Sequence, residues 1–230
     1  MTMTNFKYSI RPFARRLAQD NSGLALMEFA LSLPIMMILS VSFVDLAGYI
    51  NANTRVSQIA LSVADNSGRV KQRIDETDVD AIMIGGRIAG ESISFAGNGR
   101  IVLSMIEVNG LTGTNAGQKI TWQRCFGGKN IVSSYGVEGA GATNASYAAG
   151  FGPTGNKISA SQGNGVMFVE VIYDYQPLFP VGDALVDSLR GKTLRATAAY
   201  PVRERTSNAI QNGFNLPAAS KRLCSYFTAT

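Results

Sequence analysis

The chain has 230 residues with two cysteines, no histidine and a formal charge of +5. That inventory argues against the usual structural zinc sites and against any His-dependent catalytic dyad or triad. Lys7, Arg11, Arg15 and Arg16 against Asp20 place +3 of the +5 in the first 23 residues; the remaining +2 forms no basic block of the kind that binds nucleic acid.

Residues 1–22 read as a disordered or weakly helical leader. An apolar run follows from Leu24 to Val44, with Glu28 as its sole ionisable side chain. As a helix it is about 31 Å long, matching a bilayer core of about 30 Å. The basic leader holds its own side in the cytoplasm, so everything after the run is exported. Pro34 removes the helical bond to the Ala30 carbonyl, which membrane helices tolerate.

A carboxylate inside such a span by default marks a function or a paired charge. Three readings of the run stand side by side. A cleaved secretory signal needs small residues after the run, and Asp45 breaks that pattern in Val44-Asp45-Leu46-Ala47-Gly48. An uncleaved plain anchor leaves Glu28 without a role. In a prepilin-type signal, a membrane peptidase cuts after Gly23 on the cytoplasmic side. Leu24 then carries the new amino terminus, and Glu28 stands fifth in the cut chain. When subunits stack, its carboxylate can pair with the Leu24 amine of a neighbour.

After Asp45 the periodicity predicts that the helix continues beyond the membrane. Val56, Ile59, Ala60, Val63, Ser67, Val70 and Ile74 follow one helix face, with Arg55, Ser57, Gln58 and Asp65 between them. Asn66-Ser-Gly68 is a candidate break. A shorter helix is signalled by Thr77-Asp78 as a cap, with Val79, Ile82 and Met83 apolar and an end near Gly85-Gly86.

The rest reads as strands. Ile101 to Val108 is mostly apolar. Lys119 to Cys125 alternates, with Ile120 and Trp122 assigned to one face. Val166 to Tyr175 puts Met167, Val169, Val171, Tyr173 and Tyr175 on one side, with Glu170 and Asp174 on the other, read as a solvated face. Leu194, Ala196, Ala198, Tyr200 and Val202 alternate with Thr193, Arg195, Thr197 and Arg203. Such alternation marks sheets with one buried face. The expected class is therefore α+β, a long helix packed on an antiparallel sheet.

Between the second and third strands, residues 136–165 hold eight glycines and read as a loop too polar to form a core. Within it, Gly150-Phe-Gly-Pro-Thr-Gly155-Asn156-Lys157 falls short of a phosphate loop, because Asn156 stands where the lysine is needed. It reads as an exposed loop. Asp183 to Leu189 is assigned a short helix, and 204–230 an irregular tail. Cys125 and Cys224 lie in the exported part, where an oxidising compartment favours their pairing.

Gly23-Leu-Ala-Leu-Met-Glu28-Phe29-Ala-Leu-Ser-Leu-Pro34 resembles the N-terminus of TadE-like minor pseudopilins of the tight-adherence (Tad, Flp-type) pilus. The pattern there is glycine, four small or apolar residues, Glu-Phe, a few apolar residues, then proline. Trp122-Gln-Arg-Cys125 and Val171-Ile-Tyr-Asp-Tyr-Gln-Pro177-Leu-Phe look like strand segments of the same family. The Glu-Phe followed by an early proline leans away from the general secretion (type II) pseudopilins.

The resemblance implies a pilin plan: a cytoplasmic leader 1–23, a transmembrane half-helix 24–45, and an exported α+β domain 46–230. It implies processing at Gly23 and Leu24, assembly through Glu28 and Phe29, and a role in pilus biogenesis and adherence. The implied partners are a prepilin peptidase, other pilins and pseudopilins, and the inner-membrane assembly machinery. No cofactor, metal or catalytic residue is expected, since no serine stands in a nucleophile-elbow motif. The competing expectation is an exported envelope or binding domain on an uncleaved anchor.

Overall fold

The computed structural model describes residues 22–178, 191–203 and 205–229. The leader with its four cations, and the short helix assigned to 183–189, lie outside them.

Helix α1 runs from Ser22 to Arg69 without interruption, about 72 Å at 1.5 Å per residue. Its two halves have different surroundings. Leu24 to Leu39 is exposed on every face. From Asp45 onward a single stripe is buried, carrying Ala52, Val56, Ile59, Ala60, Val63, Ala64 and Ser67. The expected break at Asn66-Ser-Gly68 does not occur. Gly68 stays helical, and the Tyr200 ring packs where a Cβ would be, so the glycine serves close packing and not a break. Ile74 is buried as expected but lies beyond the helix.

Helix α2 spans Glu76–Ala89. Asp75 caps it, two residues before the expected Thr77-Asp78. Its carboxylate accepts from the Thr77 N–H, and the Asp78 side chain accepts from the Asp75 N–H, a reciprocal capping box. The helix passes through Gly85-Gly86 instead of stopping there. Gly86 packs closely on the sheet and α1, where a Cβ would stand 2.7 Å from Ile101 Cδ1 and 3.1 Å from Val63 Cγ2. A single turn, α3 (Phe95–Asn98), leads into the sheet.

The sheet has four strands, β1 (Gly99–Val108), β2 (Gln118–Phe126), β3 (Val166–Asp174) and β4 (Thr193–Pro201). The order is β2-β1-β3-β4, and each neighbouring pair is antiparallel. The α+β expectation is therefore met: a long helix lies on one face of an antiparallel sheet. Gly48 meets Tyr175 just past the end of β3, and Gly68 meets Tyr200 near the end of β4. Helix α1 thus runs parallel to β4, and its apolar half extends beyond the Thr193 end of that strand. The main core joins the α1 stripe, Val79 and Met83 of α2, and Ile101, Leu103, Met105, Trp122, Val169, Val171 and Tyr173 of the sheet.

Three readings of the sheet are corrected. Ile120 and Trp122 do not share a face. The β1–β2 register shifts between Met105 and Ile106, so Met105 opposes Trp122 while Ile106 opposes Ile120. The extra residue, Thr121, is a bulge, and it reverses the facing of the strand on its C-terminal side. Trp122 enters the main core, and Ile120 enters a second one.

That second core overturns the reading of 136–165 as a coreless loop. Ile106, Ile120, Val166 and Phe168 from the back of the sheet are buried with Phe151 and Ala160 from the Gly-rich segment; Tyr135, Ala140 and Tyr147 pack against them. Tyr147 stacks on Phe151 at 4.2 Å between ring centroids. The glycines let backbone approach backbone. Gly141 has φ +79°, and a Cβ there would lie 2.1 Å from the Gln118 carbonyl oxygen. Phe151 is buried, so the stretch around it is not wholly exposed.

The third correction concerns the back face at Glu170, which is buried and not solvated. It accepts from Ser133 Oγ at 2.8 Å, the Ser134 N–H at 3.0 Å and Arg195 at 2.9 Å. These are tethers for the covering segment. Asp174 is half-buried and pairs with Lys129.

Candidate assembly segment and disulfide strap

The apolar half of α1 holds the processing and assembly residues named from the sequence. Gly23, Leu24, Glu28 and Phe29 are all exposed on it. Gly23, the second residue of the helix, has nothing near its Cβ position. Glu28 lies five residues, about 7.5 Å, further along and has no ion pair or hydrogen bond among the described residues.

Over this half the backbone and the hydroxyls look after one another. Ser32 Oγ donates to the Phe29 carbonyl at 3.0 Å, Ser40 Oγ to Met36 at 2.8 Å, and Ser42 Oγ to Ile38 at 2.8 Å. Each hydroxyl donor on the span is satisfied within the helix, as an apolar medium demands. Among the described residues, α1 is the one helix long and apolar enough to cross a membrane, and none of its apolar window is covered.

The span meets the folded domain abruptly at Asp45. This residue is buried. Its Oδ1 accepts from the Leu178 N–H at 3.1 Å, and its backbone carbonyl accepts from Tyr175 Oη at 2.9 Å. The Tyr175 ring meets Tyr49 edge-on at 5.3 Å. The sequence carried one signal for this junction, the first acid after the apolar run, which entered the reading there only as an obstacle to signal cleavage.

At the other side of the sheet, Cys125 and Cys224 form the expected disulfide. It fastens a C-terminal strap along the outer edge of β2. The Cys125 N–H donates to the Arg222 carbonyl at 2.7 Å, and the Gly127 N–H to the Thr228 carbonyl at 3.2 Å. Beneath the strap, Arg100 is buried and donates to the carbonyls of Gly127, Cys224 and Tyr226 at 2.7–2.9 Å. Phe227 lies over its guanidinium at 4.3 Å. Burial pulls the Arg100 pKa down to about 10, so it is still charged at neutral pH. Nothing in the alternation of β1 distinguished Arg100, because its partners in the strap lie more than a hundred residues away.

A cavity of about 380 Å³ opens beside the disulfide, lined in part by Arg100, Gln123, Ile131, Val137 and Glu138. Its polar groups are committed elsewhere. Gln123 donates to Ser104 and the Gly136 carbonyl, and Glu138 accepts from Arg124. Among the described residues no three His, Cys, Asp or Glu side chains group to hold a metal. Comparison with family models, with curated proteins and with solved structures gives no match.

Proposed function

We propose that this chain is a minor pseudopilin of a Tad/Flp-type pilus, made as a precursor and cut after Gly23 by a prepilin peptidase. One observation carries the reading. The uncovered span from Leu24 to Val44, of bilayer length, bears a single acid, Glu28, in the fifth position after Gly23. A carboxylate there is costly unless something pairs with it. A neighbour's Leu24 amine, created by the cut, is a partner of the right charge at the right level.

In this reading the chain crosses the inner membrane once, with its α+β domain on the periplasmic side. It assembles through α1 with other pilins and pseudopilins on the inner-membrane machinery, and it supports pilus biogenesis and adherence, in part as a subunit of the extracellular fibre. The uncovered span with its single acid supports this reading over that of an enzyme on a tether.

The test is the amino terminus of the protein purified from its native host. Sequencing or intact mass should give a chain starting at Leu24, and Gly23→Ala should leave the longer precursor in the membrane. A wild-type chain retaining residues 1–23 would leave the exported domain on an uncleaved anchor and end the pseudopilin reading.

A further inference from the structure

We infer that the end of the sheet domain beside Asp45 seats directly in the lipid interface, with Pro177 and Leu178 against the headgroup and upper acyl region. This rests on the reading of α1 as a membrane span, and the quenching experiment separates the two.

The span and the domain have no linker between them. About 31 Å of helix from Leu24 to Val44 fills a bilayer core of about 30 Å. The next residue, Asp45, is already inside the fold, held to the chain leaving β3 through the Leu178 N–H and Tyr175 Oη. The segment 175–178 is therefore fastened at the level where the hydrocarbon ends.

The side chains around that level are suited to lipid. Leu178 is 69% exposed, and on the helix beside it Leu46 and Ile50 are 45% and 58% exposed. From Asp45 to Ile50 the helix rises about 7.5 Å, comparable to the headgroup layer on one side of a bilayer. Tyr49 stands in the same layer, half-buried, with an apolar ring and a polar tip, the side-chain type enriched at membrane interfaces; the buried Tyr175 ring braces it from within. The carbonyl of Lys192 accepts from the Tyr175 N–H at 3.0 Å, and Lys192 is exposed. An exposed lysine thus adjoins this segment, and a cation at this height suits lipid phosphates. Among the described residues the acid at this strand end, Asp174, is paired with Lys129. The occupant that fits a collar of leucine, isoleucine, tyrosine and lysine at this height is a phospholipid surface.

The test uses the full chain reconstituted in vesicles of phosphatidylethanolamine and phosphatidylglycerol, with bromine on the lipids at shallow or deep acyl positions. Single tryptophans are introduced as Leu178→Trp, Met36→Trp and Phe214→Trp in a Trp122→Phe background; wild-type emission is subtracted instead if that background does not fold. Met36 lies mid-span. Phe214 lies far from the bilayer, near Gly213, whose N–H binds Asp75 beyond the end of α1. Met36→Trp should lose most of its emission to deep bromine. Leu178→Trp should be blue-shifted and lose most of its emission to shallow bromine, and Phe214→Trp should lose none. If Met36→Trp is quenched and Leu178→Trp behaves like Phe214→Trp, the seating is overturned and the span stands. A blue-shifted Leu178→Trp without bromine quenching means that protein covers it, which also overturns the seating. Absence of quenching at Met36→Trp removes both.

Discussion

Glu28 and Glu76 are both carboxylates in places that penalise charge, and they differ in who answers them. Glu76 is answered within the fold. Arg124 clasps it with two N–H groups, Nε at 2.9 Å and Nη2 at 2.5 Å, and both side chains are buried. Removing one partner strands the other, so Glu76→Ala should cost about 3–5 kcal/mol in urea unfolding of the domain. The double variant Glu76→Leu with Arg124→Met should recover most of that loss, since an apolar pair of similar size is often neutral or better. Glu28 has no such partner among the described residues. Glu28→Leu should insert as well as or better than wild type, because a carboxylate in an apolar span opposes insertion, an Asp at the helix centre by roughly 2.5–3.5 kcal/mol. Processing should persist while pilus formation is lost. Membrane level, processing and piliation measured separately in cells lacking the native copy check this, and wild-type piliation would sink the pairing. Of these two acids only Glu28 stood out in the sequence. A charge in an uncharged run is visible locally, whereas Glu76 needed a strand residue 48 positions away to show that it was buried.

At the scale of elements, periodicity located helices and strands well and located their covering poorly. The α1 stripe and the alternations of β3 and β4 were legible, because they depend only on each segment's own spacing. The cover on the back of the sheet was not legible. It is the Gly-rich segment with Tyr135 just before it, and the few aromatics there, Tyr135, Tyr147 and Phe151, are too widely spaced to show a period. The bulge at Thr121 was hidden for a related reason, since register belongs to a pair of strands and not to one. Termini of elements lead to a pH prediction. At Asp75 burial alone would raise the carboxyl pKa, but hydrogen bonds from the Gly213 N–H, the Thr77 N–H and Thr77 Oγ1 outweigh it and hold the pKa below its ordinary value. At Asp174, at the end of β3, burial is likewise outweighed by Lys129 and Thr193. Groups whose folded pKa is depressed add stability above their unfolded value, and that contribution disappears as pH falls through the folded one. Melting temperature should therefore be insensitive to these two acids near neutrality and should fall as pH drops below about 4. Asp75→Asn should flatten that fall in a pH series of thermal melts.

For the molecule as a whole, the disulfide joins residues 99 positions apart, Cys125 and Cys224. In the chain-entropy model a loop of about 100 residues is worth about 4.7 kcal/mol. Cys125→Ala with Cys224→Ala should lower the melting temperature by roughly 10–20 °C, at about 2–4 °C per kcal/mol for a domain of this size. Calorimetry of the two forms, with a thiol titration to confirm the bond in the native one, measures it. The pairing of these cysteines was legible from their number and compartment. The strap that the bond holds down was not, because 205–229 contains no regular element longer than a single turn.

That strap also sets a clock. The outer edge of β2 is written into the chain by Phe126, yet the carbonyls of Arg222, Cys224, Tyr226 and Thr228 that close it and cap Arg100 come about a hundred residues later. At a ribosome pace of about 5–20 residues per second, that edge and a buried cation wait on the order of 5–20 s for their own chain. Throughout that interval β2 is an open template for any extended segment that passes. A chaperone that occupies the edge, and an oxidant that acts only after Cys224 has appeared, are what the timing of this fold asks of its surroundings.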